Sequence, residues 1–210
     1  MQTIDEQRKQ PACPRCAGDI AEFEVSDDRC RQCRRQSPSV DGTVRVGAYR
    51  DVLGRILRAY KFQRQEHFEL LLARWMLSAG MRAPWWSSVE AVVPVPAFWR
   101  RRMGQAYYPA SRLACAVAAC MKLPQVPLLR RVRGGPHQVG LSHTKRWENV
   151  RGAFAVRRSY KLNGPTLLLV DDVRTTGATL AECAKVLRRA GARRVYAAVV
   201  VSAGDPQRKP

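Results

Sequence analysis

Two groups of residues in this chain have the types and spacing for chemistry. The first is the run Val170-Asp171-Asp172-Val173-Arg174-Thr175-Thr176-Gly177-Ala178-Thr179. An apolar strand beginning at Leu167 delivers two carboxylates, and a hydroxyl-rich turn then leads directly into a helical pattern. In an open α/β sheet this is how an anion site is made: hydroxyls, free backbone N–H groups and the helix dipole converge at the carboxyl edge of a strand. Gly177 permits close backbone approach to a phosphate. Paired aspartates would repel that phosphate, but they are suited to accept hydrogen bonds from vicinal ribose hydroxyls a little further on. Phosphate and diol together specify a ribose 5-phosphate.

The second group is Cys13-Pro14-Arg15-Cys16 and Cys30-Arg31-Gln32-Cys33, two C-x-x-C knuckles separated by thirteen residues. Each knuckle offers two thiolates to one ion, and together they complete the tetrahedral S4 set that zinc accepts. A closed four-thiolate set leaves no position for water, so the expected role is structural and its loss should cost solubility rather than ligand affinity. Gly18 suits a tight turn, and Phe23 with Val25 is expected to form a short strand between the knuckles. A redox dithiol pair is the rival reading. It is disfavoured because so few apolar residues surround the knuckles that only a metal would hold the segment together. Cys115, Cys120 and Cys183 fall in apolar helical patterns and are expected to be buried small hydrophobes.

The elements that must position these groups follow from periodicity. Val44, Val46 and Ala48 alternate as a strand, and Val52, Ile56, Leu57 and Tyr60 recur at helical spacing. Phe68, Leu71, Leu72, Trp75 and Met76 do so again before Gly80, and residues 82–88 read as a loop. Residues 91–96 form a short buried strand ending at prolines. A helix spans 109–121 with Pro109 in its first turn, and residues 130–158 form a long basic connector broken by Gly134-Gly135-Pro136. Leu167 to Val170, residues 179–190 stopped by Gly191, and Val195 to Val201 then give strand, helix, strand. This alternation predicts a parallel sheet flanked by helices. The expected organisation is a zinc-ribbon-like module over residues 1–42, a strand and helix region over 43–90 packing on the core, and the main α/β domain over 91–204.

Charge is the unusual bulk property. The chain has 210 residues, with 37 Lys plus Arg against 17 Asp plus Glu, a formal net charge of +20. Residues 1–45 carry eight basic and eight acidic side chains, so all the excess lies beyond them. Residues 100–161 carry fourteen basic side chains against Glu148 as the one acid. A field of that size attracts polyanions such as nucleic acid, a pyrophosphorylated metabolite or anionic lipid. Arg130, Arg131 and Arg133 are candidate nucleic-acid contacts, with Trp99, Tyr107, Tyr108 and Trp147 interleaved as a stacking platform would require. The polar N-terminus and strand-length apolar runs predict a cytoplasmic protein with no membrane span. The thiol-rich, unpaired cysteine pattern fits a reducing compartment.

The run from Leu167 to Thr179 resembles the signature of the type I phosphoribosyltransferases: a hydrophobic strand, two acidic residues and a T-T-G-x-T loop. The resemblance implies that Asp171 and Asp172 contact the ribose hydroxyls of phosphoribosyl pyrophosphate and that Thr175, Thr176, Gly177, Ala178 and Thr179 bind its 5-phosphate, with Mg²⁺ accompanying the ligand. The turn at Val95-Pro96 occupies the place of the pyrophosphate loop. A narrower likeness joins the double C-x-x-C, Val93-Pro94-Val95-Pro96, Gln138-Val139-Gly140-Leu141-Ser142 and Asn149-Val150-Arg151-Gly152-Ala153-Phe154 to that loop, in an order similar to the ComF family. It implies a role in DNA uptake and natural transformation, with single-stranded DNA and a competence helicase as partners. One departure is that this chain has Arg101-Arg102-Met103-Gly104-Gln105-Ala106-Tyr107-Tyr108 where the family usually carries a basic stretch leading into Arg-Gly-Phe-Asn-Gln. A DNA-binding accessory protein and an active phosphoribosyltransferase of nucleotide metabolism are both consistent with the signature, and the acceptor for a transfer is not legible. A metabolite-sensing regulator is disfavoured because no helix-turn-helix pattern is present.

Overall fold

A computed structural model describes residues 4–20, 29–35, 39–96, 108–133, 143–157 and 160–203. The expected strand at Phe23 and Val25, the Gln138–Ser142 motif, Trp99 and residues 101–107 lie outside them.

The main sheet is built from β1 (Thr43–Ala48), β2 (Ala91–Pro94), β5 (Thr166–Arg174) and β6 (Arg194–Ser202). Its order is β1-β6-β5-β2, and every pairing is parallel. The register sets Thr43 beside Ala197, Val170 beside Ala198 and Pro94 beside Val170. All four carboxyl ends therefore open on one edge, where ligands of such sheets are bound.

Strand side chains alternate between two cores. Leu168 and Val170 of β5 with Ala198 and Val200 of β6 face one layer: α3 (Asp51–Phe62), α4 (Phe68–Gly80) and α5 (Pro109–Met121). Leu167, Leu169, Ala197 and Val199 face the other, where α7 (Ala178–Arg189) packs. The sequence-predicted helices form because each carries an apolar stripe at 3.6-residue spacing, as Leu53, Leu57 and Tyr60 do on α3. Pro109 stands at the start of α5, where its missing N–H has no partner to lose.

One expectation is refined and two are revised. The basic connector, as expected, is not one regular element: β3 (Leu129–Arg131) and β4 (Phe154–Val156) pair antiparallel, with α6 (His143–Val150) before β4. Three-residue strands are too short to show a period. In the tryptophan-rich loop, Trp86 to Ser88 makes a 3₁₀ turn, Trp86 is buried, and Trp85 stacks on Tyr196 at 4.1 Å. Cys115 is exposed on α5 and Cys120 is half-buried, because Leu113 and Val117 define the buried stripe; Cys183 is buried as expected.

The N-terminal segment contributes α1 (Ile4–Lys9) and α2 (Arg31–Arg35) and docks along β1. The Thr43 N–H donates to the Pro14 carbonyl at 2.9 Å, and the Gln7 side chain is buried, accepting from the Leu53 N–H at 3.2 Å. Arg45 of β1 is also buried. It donates to the Ala17 carbonyl at 3.1 Å, pairs with Asp19 at 2.5 Å and bonds to the Ser202 hydroxyl. At the exit from the segment, Asp41 accepts from the Val195 N–H at 2.8 Å and pairs with Arg188 and Arg194 at 2.5 and 3.1 Å.

Candidate functional site

The Thr175–Gly177 turn, the expected phosphate loop, leaves β5 at the carboxyl edge. β5 is longer than the apolar run implied: it continues through the carboxylates to Arg174, because β6 extends beside it and pairs Asp171 with Val199 and Val173 with Val201. Successive side chains leave a strand on opposite faces, so the acid pair straddles the sheet. Asp172 shares the face of α3, and its Oδ2 lies 2.7 Å from Lys61 Nζ. Asp171 faces the α7 side, where its Oδ1 accepts from the Asp172 N–H at 2.9 Å. Burial first and the Asp172 carboxylate second push the Asp171 carboxyl up to about 8, against the pull of Lys61. Lys61 is itself raised: desolvation lowers it, and the Asp172 carboxylate outweighs that.

Thr175, Thr176 and Gly177 form the bend before α7 and are half-buried, as is Thr179, while Ala178 is buried. Gly177 adopts φ +80°, a left-handed conformation disfavoured for other residues, and sits at the N-cap. Thr176 Oγ1 accepts from the Ala178 N–H at 3.3 Å, tying the turn to the first helical residue. Val95, in the position of the expected pyrophosphate loop, donates its N–H to the Val170 carbonyl at 3.0 Å, which holds the end of β2 against the strand that bears the acids. The structure therefore gathers the predicted phosphate-binding residues at one edge and adds Lys61. Nothing near Lys61 in sequence marked it; helical spacing assigned its neighbours to core.

The cysteines converge on a second site. Sγ of Cys13 lies 3.9 Å from that of Cys33, Sγ of Cys16 lies 3.8 Å from that of Cys30, and all four lie within 4.8 Å of one another and are buried. With zinc about 2.3 Å from each sulfur, a tetrahedral set has edges of about 3.8 Å, so the arrangement fits that ion. The hydrogen bond with Cys13 pushes the Cys16 thiol up to about 11 and that of Cys33 higher, while Cys13 is held far below its ordinary value by Cys16 and Cys33. A cation favours the thiolate at all four.

The basic trio lies on and after β3. Arg130 and Arg133 are exposed, whereas Arg131 is half-buried, its guanidinium 5.4 Å over the Phe154 ring and its Nε donating to the Arg133 carbonyl at 3.1 Å. The motif from Asn149 to Phe154 turns the chain from α6 into β4, and the Gly152 N–H donates to Glu182 at 2.8 Å on α7. Trp147 is 37% exposed on α6, and Tyr108 is half-buried at the start of α5.

A parallel sheet with this acid pair and Thr-Thr-Gly turn at its carboxyl edge has the architecture of a phosphoribosyltransferase-type protein. The family model described as the phosphoribosyl transferase domain matches residues 106–210. Competence protein F of Haemophilus influenzae is 33% identical over 187 residues, covering 86% of this chain and 80% of its own length. The DNA utilization protein YhgH of Salmonella typhimurium is 31% identical over 192 residues, covering 86% and 79%. Among solved structures, the glutamine phosphoribosylpyrophosphate amidotransferase of B. subtilis aligns at 20% identity with a TM-score of 0.41, covering 62% of this chain and 25% of its own. The chain belongs to the ComF family. Among the described residues, no helix is long and apolar enough to cross a membrane.

Proposed function

We propose that the chain is a DNA-handling protein of natural transformation that binds phosphoribosyl pyrophosphate with Mg²⁺ at its phosphate loop. The observation that carries this reading is the continuity of β5, the acid pair and the Thr175–Gly177 turn, with Lys61 closing on Asp172. The turn supplies donors for phosphate; Asp172 would accept from a ribose hydroxyl or hold a Mg²⁺ that neutralises the ligand's charge, and Asp171 would join it on giving up its proton. Lys61 pairs with Asp172 and would offer its ammonium to the pyrophosphate. The names of the relatives, competence protein F and DNA utilization protein, bring DNA into the reading. Single-stranded DNA would lie along the basic segment through Arg130, Arg131 and Arg133, handed on by a competence helicase. The four cysteines hold one zinc, and the protein works in the cytoplasm.

Titration calorimetry with phosphoribosyl pyrophosphate, with and without Mg²⁺, tests the ligand. Magnesium-dependent binding is expected, and no heat under either condition removes the reading. Anisotropy with a labelled single strand tests the DNA. If about five phosphates are neutralised, log K falls against log salt with a slope of roughly −3 to −4. Charge reversal at Arg130 and Arg133 flattens that slope, and an affinity indifferent to salt refutes the basic track. Pyrophosphate release on adding nucleobases would move the assignment to an active transferase.

A further inference from the structure

Arg174 ends β5 with 7% of its surface exposed, yet among the described residues no hydrogen bond or ion pair engages its guanidinium. Its nitrogens are not among the fully buried unpartnered polar atoms of the described residues, so the fork keeps donors that a nearby anion can engage. Two candidates flank it. A methyl group added at Gly18, in the turn after the first knuckle, would lie 3.3 Å from Cys16 Sγ and 3.5 Å from Arg174 Nη1. One added at Gly177, in the phosphate loop, would lie 3.4 Å from Arg174 Nε and 3.7 Å from Nη2. The planar fork thus fills the gap between the thiol cluster and the back of the phosphate loop.

The nearby buried cation, Arg45, has its charge met by Asp19 and its N–H groups by the Ala17 carbonyl and the Ser202 hydroxyl. Arg45 and Arg174 repel each other. The end of β5 is fixed, because the Ala203 N–H donates to the Arg174 carbonyl at 2.8 Å, so the side chain cannot leave by moving the strand. Four thiolates on a divalent ion carry a net charge of −2, and a bound phosphate ester carries about the same. A guanidinium has donors enough on its two edges to face both.

We propose that Arg174 is a positioning residue shared by the two sites: it is the counter-ion of the metal–thiolate cluster on its Cys16 side, and, held there, it backs the turn at Gly177 so that the loop is set for phosphate. Metal occupancy then controls anion affinity. This rests on the phosphate-loop and metal-cluster readings and goes beyond both, since each alone leaves the module a passive scaffold. Without the ion, the module no longer holds Arg174 between the two turns and the loop loses its backing. Because equilibrium coupling is reciprocal, bound phosphate must in turn strengthen metal retention by the same factor. Direct repulsion between the two anions opposes this, and Arg174 lying between them offsets it.

The test uses the full chain loaded with cobalt(II), whose visible bands report the tetrathiolate directly. Inorganic phosphate and ribose 5-phosphate are titrated into the wild type, Arg174→Gln and Arg174→Lys, and metal transfer to a chelator is timed with and without phosphate. In the wild type, phosphate should shift the cobalt bands and slow metal transfer by about tenfold, the size of one charge-assisted hydrogen bond. Arg174→Gln should abolish both effects and weaken phosphate by a similar factor, while Arg174→Lys should retain part of each. Phosphate binding that leaves the cobalt bands and the transfer rate unmoved overturns the coupling alone. A wild type that binds neither probe overturns the phosphate-loop reading and the coupling together. Because the readouts are taken on loaded protein, poor folding of the stripped chain does not obscure them.

Discussion

The thiol cluster takes its four ligands from two short knuckles and buries all of them, whereas the phosphate loop leaves its hydroxyls half-exposed at a sheet edge and recruits Lys61 from a helix in the first third of the chain. One arrangement is closed by local sequence and the other is assembled by topology. A closed tetrathiolate supplies folding energy and admits no substrate. An open edge keeps donors and carboxylates partly unpaired, at a cost in stability, so that a ligand can satisfy them. Arg174 shows that the two are not independent, since it lies against both.

Breaking the closed site should have the largest effect. Cys30→Ser removes one of four ligands to an ion whose binding is linked to folding by on the order of 10 kcal/mol in small zinc modules. The soluble fraction should collapse, and elemental analysis should fall from one zinc per chain toward none. Wild-type protein purified under reducing conditions without zinc would end the metal assignment. Next comes the acid pair of the open site. Asp172→Asn should weaken phosphoribosyl pyrophosphate by about 2–3 kcal/mol and free phosphate far less, because only the diol and metal side is altered. Equal losses for both ligands would mean that the aspartates serve the fold rather than the ribose. Thr176→Val should weaken both ligands alike, by roughly 1–2 kcal/mol, since the donor it removes faces phosphate.

The smallest effect sharpens the contrast between a stabilising and a costly site. Asp171 keeps its proton in the folded state up to about pH 8, against an ordinary value of 3.8. The folded state therefore binds the extra proton between those values, and stability falls as pH rises through that window. Asp171→Asn should raise the melting temperature at pH 8 while weakening ligand binding, and the gain should vanish by about pH 4. Lys61 nearby and solvent screening reduce the gain to about 1–2 kcal/mol, or roughly 2–8 °C for a chain of this size. A melting difference that is flat with pH would place the burden elsewhere.

The sequence carried the parts of this architecture that repeat or that cluster locally. The C-x-x-C spacing needed no tertiary information, and neither did the acid pair with its Thr-Thr-Gly turn, nor the helical stripes of α3, α4 and α5. What it hid depends on parallel crossovers. Lys61 reaches Asp172 only because β1 is placed beside β6, which swings α3 over the carboxyl edge. The apolar run stopped at Val170, so the extension of β5 through the acids came from its neighbour's backbone rather than from its own composition. The β3–β4 pair is too short for periodicity, and Arg131 on it lies against an aromatic ring that no charge count could reveal.

The position of β6 has a further consequence for how the protein comes into being. It lies between β1 and β5, so the first strand of the sheet has no sheet partner until β6, about 150 residues further on, has been made. At roughly 5–20 residues per second, the wait over about 150 residues is on the order of 10–30 s. Through that interval Val44, Val46 and Ala48 belong to an unpaired strand, the kind of edge that seeds association between chains. The neighbouring segment that carries Gln7 and Pro14 is made earlier and lies along β1 in the finished fold, where it can act as an early cover. A chain that stalls or is clipped before Arg194 would lose the partner of two strands at once, so such a fragment should be cleared by proteolysis rather than persist as a shortened protein.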